Sequence, residues 1–274
     1  MRYTTRISID NINNFVMANG DDNIIHTSKD EAGKFLSAIK EKHEEGVIAQ
    51  GAWSLAKLEY LPQIVDHNIK WAKINFQSPL VINDEKEIEF EIEKIGNAYK
   101  IELTENKRDM KKVIITAEIG FDEKDINEKV SSLEKKINEN TRENEAKLND
   151  TIEIKEDNFN AYLRSIGITE EDYFRKHEGV SGVLASIFIP ARLVHKFRET
   201  GSEKEPGHLI YKIQRSIFNG KNSYSPLNLF GKIISKRKEN SEVYSSDIAI
   251  AGTSGEPAVY SNCLSAKILD KVCA

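Results

Sequence analysis

Gly51-Ala52-Trp53-Ser54-Leu55-Ala56-Lys57-Leu58 is the stretch on which the fold turns. A helix with so few polar residues has no face for water and has to be buried. The next segments of the chain supply the cover. Ile69 to Phe76, Ile88 to Ile95, Tyr99 to Leu103 and Val113 to Ile119 alternate apolar and polar residues, with turn signals at Asn83-Asp84 and Gly96-Asn97. A buried helix followed by a run of half-buried antiparallel strands describes a sheet wrapped around a helix, an α+β arrangement.

The same order recurs further on. Gly182 to Ile189 reads as a second buried helix, stopping near Pro190, and strand candidates come after it at Leu209 to Ile217, Leu229 to Ile234, Val243 to Ile250 and Ala258 to Ile268. Ahead of each buried helix lies a short alternating stretch and then an amphipathic helix: Ile7-Ser8-Ile9 with Ile12, Phe15 and Val16 before Gly20, and Ile152-Glu153-Ile154 with Phe159, Tyr162 and Leu163 before Gly167. A shift of 147 positions lays Asp10-Asn11-Ile12-Asn13 on Asp157-Asn158-Phe159-Asn160, Phe15 on Tyr162 and Gly20 on Gly167. An internal echo followed by the same order of elements implies a duplicated domain.

The 274 residues are enough for two compact domains, and 39% hydrophobic content suits two small cores. Residues 1–121 form the expected first domain and 151–274 the second. Between them 122–150 is rich in Lys, Glu and Asn, and Ile126, Val130, Leu133 and Ile137 place one apolar stripe on a charged helical connector.

Charge excludes further classes. Before position 151 there are 22 basic and 29 acidic residues, and from there on 17 against 15, so neither half has the positive surface of a nucleic-acid binder. Lys232, Lys236, Arg237 and Lys238 make one basic cluster, read either as a solvated strand end or as a dock for an acidic or phosphorylated partner. No run of about 18 apolar residues suggests a membrane span. The start lacks the apolar core of a signal peptide, and Cys263 and Cys273 are too few for a disulfide framework, so a cytoplasmic location is expected. Phosphate-binding and nucleophile-elbow motifs are missing from the sequence.

The chemistry-bearing stretch is Gly20-Asp21-Asp22-Asn23-Ile24-Ile25-His26. Alone, Gly-Asp and Asp-Asn are turn formers that could merely cap a helix, and a lone histidine is commonly structural. Five positions apart on an irregular loop, however, Asp21 and His26 can converge on one cavity. Without a further His or Cys nearby, Asp21, Asp22 and His26 do not complete a metal shell, so no metal is expected.

With Val47-Ile48-Ala49-Gln50-Gly51 and Phe76-Gln77-Ser78-Pro79-Leu80, this stretch resembles the MaoC-like acyl dehydratase and (R)-specific enoyl-CoA hydratase family, whose signatures run GD-x-N-P-x-H, IAHG and F-x-x-P-V. The resemblance covers most of residues 3–121. It implies two tandem hotdog domains forming a pseudo-dimer, as a monomer or a homodimer, and a hydro-lyase of fatty acid or polyketide metabolism. That reaction interconverts (3R)-3-hydroxyacyl and trans-2-enoyl thioesters. It needs no cofactor, because coenzyme A or the phosphopantetheine of an acyl carrier protein carries the substrate. By resemblance Asp21 and His26 are the catalytic pair, the backbone N–H of Gly51 polarises the thioester carbonyl, and Asn23 shapes the loop. Carboxylate and imidazole acting as general base and acid, and an amide at a helix N-terminus facing a developing oxyanion, suit that chemistry.

Two departures stand out: Ile24 where the signature has Pro, and Gln50 where it has His. They keep open a hotdog thioesterase and a non-catalytic acyl-thioester-binding protein. In the second half Ile168 stands at the place of Asp21 and Tyr173 at that of His26, so that half is expected to be catalytically degenerate.

Overall fold

The computed structural model describes residues 1–41, 44–107, 110–139, 144–200, 207–219, 226–238 and 241–269. Strand β1 (Arg2–Ser8) leads straight into α1 (Ile9–Asn19) through a reciprocal cap: Ser8 Oγ accepts from the Asn11 N–H, and Asn11 Oδ1 accepts from the Ser8 N–H. The helix ends at Gly20, whose φ of 67° is the left-handed conformation that glycine adopts without strain. A 3-10 turn (Ile24–His26), α2 (Lys29–Ala38) and the two-residue strand β2 (Val47–Ile48) lead to the buried helix α3 (Gly51–Leu58). Strands β3 (Trp71–Phe76), β4 (Val81–Ile82), β5 (Glu85–Ile95), β6 (Ala98–Lys107) and β7 (Met110–Gly120) complete the first half.

After α4 (Ile126–Asn138) the order repeats with β8 (Glu145–Ile152), α5 (Glu156–Ile166), α6 (Glu170–Lys176), α7 (Gly182–Ser186), α8 (Phe188–Thr200), β9 (Gly207–Phe218), β10 (Leu227–Lys238), β11 (Ser241–Gly252) and β12 (Pro257–Leu269). The ten long strands form one antiparallel sheet in the order β1-β5-β6-β7-β3-β9-β12-β11-β10-β8. Taken inward from each edge the two halves have the same strand order, and they meet where β3 pairs with β9, Trp71 opposite Ile217 and Asn75 opposite Ile213. One continuous core runs through both, from Ile7, Phe15 and Trp53 to Tyr162, Leu184 and Val259.

The halves also exchange like for like. Asn11 Nδ2 donates to the Ser165 carbonyl at the end of α5, and Asn158 Nδ2 donates to the Met17 carbonyl near the end of α1. Trp53 Nε1 and Lys57 Nζ of α3 reach the Ser165 and Ile166 carbonyls, satisfying acceptors that a helix end leaves open.

Two expectations are corrected. The charged connector is helical only over Ile126–Asn138, and Glu145–Asp150 belongs to β8, paired with β10. The apolar stripe of Ile126, Val130 and Leu133 packs on one half alone, against Ala249, Ile217, Phe230 and Tyr260, so α4 is a cover for the second half's strands and not a bridge. Pro190 does not stop the second buried helix: the helix breaks at Ile187, and Pro190 lies in the first turn of α8, where a missing N–H is tolerated.

Candidate active site

Left-handed Gly20 turns the chain out of α1 and directs Asp21 inward. Asp21 is 3% exposed, its backbone N–H donates to Asn19 Oδ1 (3.0 Å), and its Oδ1 accepts from the Asn23 N–H (2.9 Å). Asn23 thus shapes the loop through its backbone. Asn19 Nδ2 reaches the Ile187 carbonyl of the second half at 3.3 Å. The 3-10 turn then brings round His26, whose Nδ1 lies 2.6 Å from the Ile48 carbonyl. A carbonyl only accepts, so Nδ1 carries a proton toward Ile48 and Nε2 is the nitrogen left for the cavity. That Nε2 faces Asp21 Oδ2 at 3.7 Å. Ile24 opens the same turn with its side chain exposed.

Gln50 joins this pair. It is 4% exposed, and its Nε2 donates to Asp21 Oδ2 at 2.7 Å. Sequence reasoning noted it only as a departure, although its place beside Gly51 was the available signal. Gly51 is the first residue of α3, as expected, but its lack of a side chain serves packing: a Cβ there would overlap the Phe76 ring. Asp22 points away, toward His195.

Asp21, His26 and Gln50 open on a cavity of about 240 Å³. The first half supplies Phe35 and Ile39, from α2 and its end, and Phe76 and Leu80. Its remaining wall is made by Pro190 and Val194 of α8 and by Lys212 and Gln214 of β9. Those four were not legible, since nothing in the sequence couples them to the loop. Exposed Lys212 and half-buried Glu41 mark the solvent end. The charged stretch after Ala32 therefore has its apolar members turned in, with Phe35 and Leu36 packed on Ile25, Ile48 and Val81. Lys42 and His43 lie outside the described residues.

The second half repeats the frame with other side chains. Tyr173 occupies the place of His26, and its hydroxyl donates to the Gly179 carbonyl (2.8 Å), three residues before Gly182 as Ile48 is before Gly51. It also accepts from the Ser181 N–H (2.9 Å), and burial raises this phenol above its ordinary range, so it does not exchange protons near neutrality. Glu59 of the opposite half lies beside it, 2% exposed and 3.1 Å from His177 Nε2, a contact out of line for a hydrogen bond.

Other expected features resolve simply. Lys232 is buried and paired with Glu145 at 3.0 Å, so it is no part of a surface dock. Lys236 is exposed, and the side chains of Arg237 and Lys238 lie outside those described. Burial in β12 pushes the Cys263 thiol up to about 12, and Cys273 is outside the described residues. Among the described residues no three His, Cys, Asp or Glu side chains gather as a metal site, and no helix is long and apolar enough to cross a membrane.

A sheet wrapped around a buried helix, twice over in one chain, is a fold that solved structures share. A protein described as a MaoC-like dehydratase superimposes with a TM-score of 0.58 at 9% identity, over 97% of each chain. A conserved hypothetical protein of Mycobacterium tuberculosis, described as having a double hotdog fold, gives 0.57 at 7% identity over 98% of this chain and 95% of its own. The dehydratase-cyclase domain of ambruticin biosynthesis gives 0.53 at 8% identity over 97% and 90%. No family model matches the sequence, and no curated protein does. The chain is a double hotdog protein.

Proposed function

We propose that the chain is an acyl-thioester dehydratase or hydratase, interconverting (3R)-3-hydroxyacyl and trans-2-enoyl thioesters carried on coenzyme A or an acyl carrier protein. The observation that carries this reading is the pairing of Asp21 Oδ2 with Nε2 of His26, 3.7 Å apart, both residues buried and lining a largely apolar cavity. An oxygen at the apex of that pair, about 2.8 Å from each, is within hydrogen-bond reach of both. In dehydration the pair accepts the proton from C2, the C2=C3 bond forms as C3–O breaks, and the departing hydroxyl takes that proton and leaves as water. Hydration runs the same transfers backward, so the proton count of the pair is conserved. The N–H groups of Gly51 and Ala52, the first two of α3, precede the first bond of the helix and suit the thioester oxygen as it gains charge. The test tracks enoyl absorbance with short and long trans-2-enoyl thioesters on both carriers. Asp21→Asn and His26→Gln should each lower turnover about 10²- to 10⁴-fold with little change in melting temperature. Wild-type rates in both variants would remove the site assignment. Release of free thiol in place of hydration would identify a thioesterase, and ligand-dependent stabilisation without any product a binding protein.

A further inference from the structure

The acid–imidazole pair has a third member whose geometry goes beyond that reading while resting on it. We propose that Gln50 is a positioning residue that fixes which way the Asp21 carboxylate points. Asp21 Oδ2 is at once the oxygen facing His26 Nε2 (3.7 Å) and the oxygen held by Gln50 Nε2 (2.7 Å), while Oδ1 is taken by the Asn23 N–H (2.9 Å). A carboxylate only accepts, so the amide must present its N–H₂ end. With both oxygens held, the plane of the carboxylate is fixed. Without Gln50 only the Oδ1 bond remains, and Oδ2 can turn away from the reacting oxygen.

Two further facts mark this contact as more than packing. Gln50 is the N-cap residue of α3, yet its side chain makes no capping bond to its own helix and is spent on Asp21 instead. Its Oε1 is buried without a hydrogen-bond partner among the described residues, which costs stability and which an apolar side chain would avoid. The N–H₂ end is therefore what the position provides, and a histidine N–H, the residue of the resembling family here, can supply the same donor.

Purified full-length chain is assayed on trans-2-enoyl-CoA across pH. Gln50→Leu keeps the bulk and removes the donor; kcat should fall about 10- to 100-fold with KM within about threefold. Gln50→His should restore most of that loss. Gln50→Glu sets a second carboxylate against Asp21: it should be inactive where that group is ionised and gain activity on acidification, as the neutral carboxyl donates in place of the amide. A purely structural role gives an acid-side gain only through the folded fraction, so rates are taken per folded molecule at each pH. Should Gln50→Leu fail to fold, the pH profile of Gln50→Glu decides. The proposal is overturned if the wild type turns over and Gln50→Leu matches it, or loses only KM, or if Gln50→Glu keeps the wild-type profile. A wild type without turnover overturns this proposal and the proposed function together.

Discussion

Replacing Gly51 by Ala tests the tightest contact at the site. The new Cβ would overlap the Phe76 ring, so Gly51→Ala should cost about 1–3 kcal/mol in denaturant unfolding, with part regained in Gly51→Ala/Phe76→Leu. A second expectation for a single side chain concerns Cys263. Its thiol ionises near 12 in the folded chain against an ordinary 9.0, so the native state holds its proton longer than the unfolded one. Stability from this group is complete below about pH 9 and falls as pH rises toward 12; alkaline denaturation of Cys263→Ala should lack that component. The sequence showed Asp21, His26 and Gly51 because their types and spacing are tied to local backbone: a turn after Gly20 and a helix start at Gly51. Gln50 and Asn19 were illegible as partners, because a side-chain hydrogen bond across a loop leaves no period to read.

Elements carry the next level. Leu133 anchors α4 on the outer face of the second half's strands, 1% exposed, and Leu133→Ala should cost about 2–4 kcal/mol by thermal or denaturant unfolding. That a stripe runs along α4 is evident from spacing, but which sheet face receives it is set by tertiary packing, so the bridging role read from sequence gave way to a one-sided cover. The strands were legible through alternation to within a few residues, as with β5 and β7, whose inward residues Ile88, Phe90 and Ile92, and Ile115, Ala117 and Ile119, recur every second position. The α7–α8 break was not: Gly182 to Ile189 is apolar almost throughout, and an apolar run without a breaker contains no sign of where the helix resets.

Across the whole molecule the two seams between halves are unlike, one opening on a cavity with Asp21 and His26 and one carrying Glu59 and His177. Removing His177 would take a buried polar contact from Glu59, so His177→Leu should cost about 1–3 kcal/mol while turnover per folded molecule stays at the wild-type value; a fall in turnover would assign chemistry to that seam. The asparagine exchange, Asn11 onto Ser165 and Asn158 onto Met17, is the contact pattern of two identical subunits across a two-fold axis, drawn inside one chain. In a pair of separate identical subunits every substitution is made twice, so a change that fills one pocket fills both. Covalent linkage removes that constraint. One copy is free to carry Tyr173 and Ile168 where the other has His26 and Asp21 and to supply the wall of Pro190, Val194, Lys212 and Gln214, while the other keeps its pocket open, and selection can shape the wall without touching the residues it encloses.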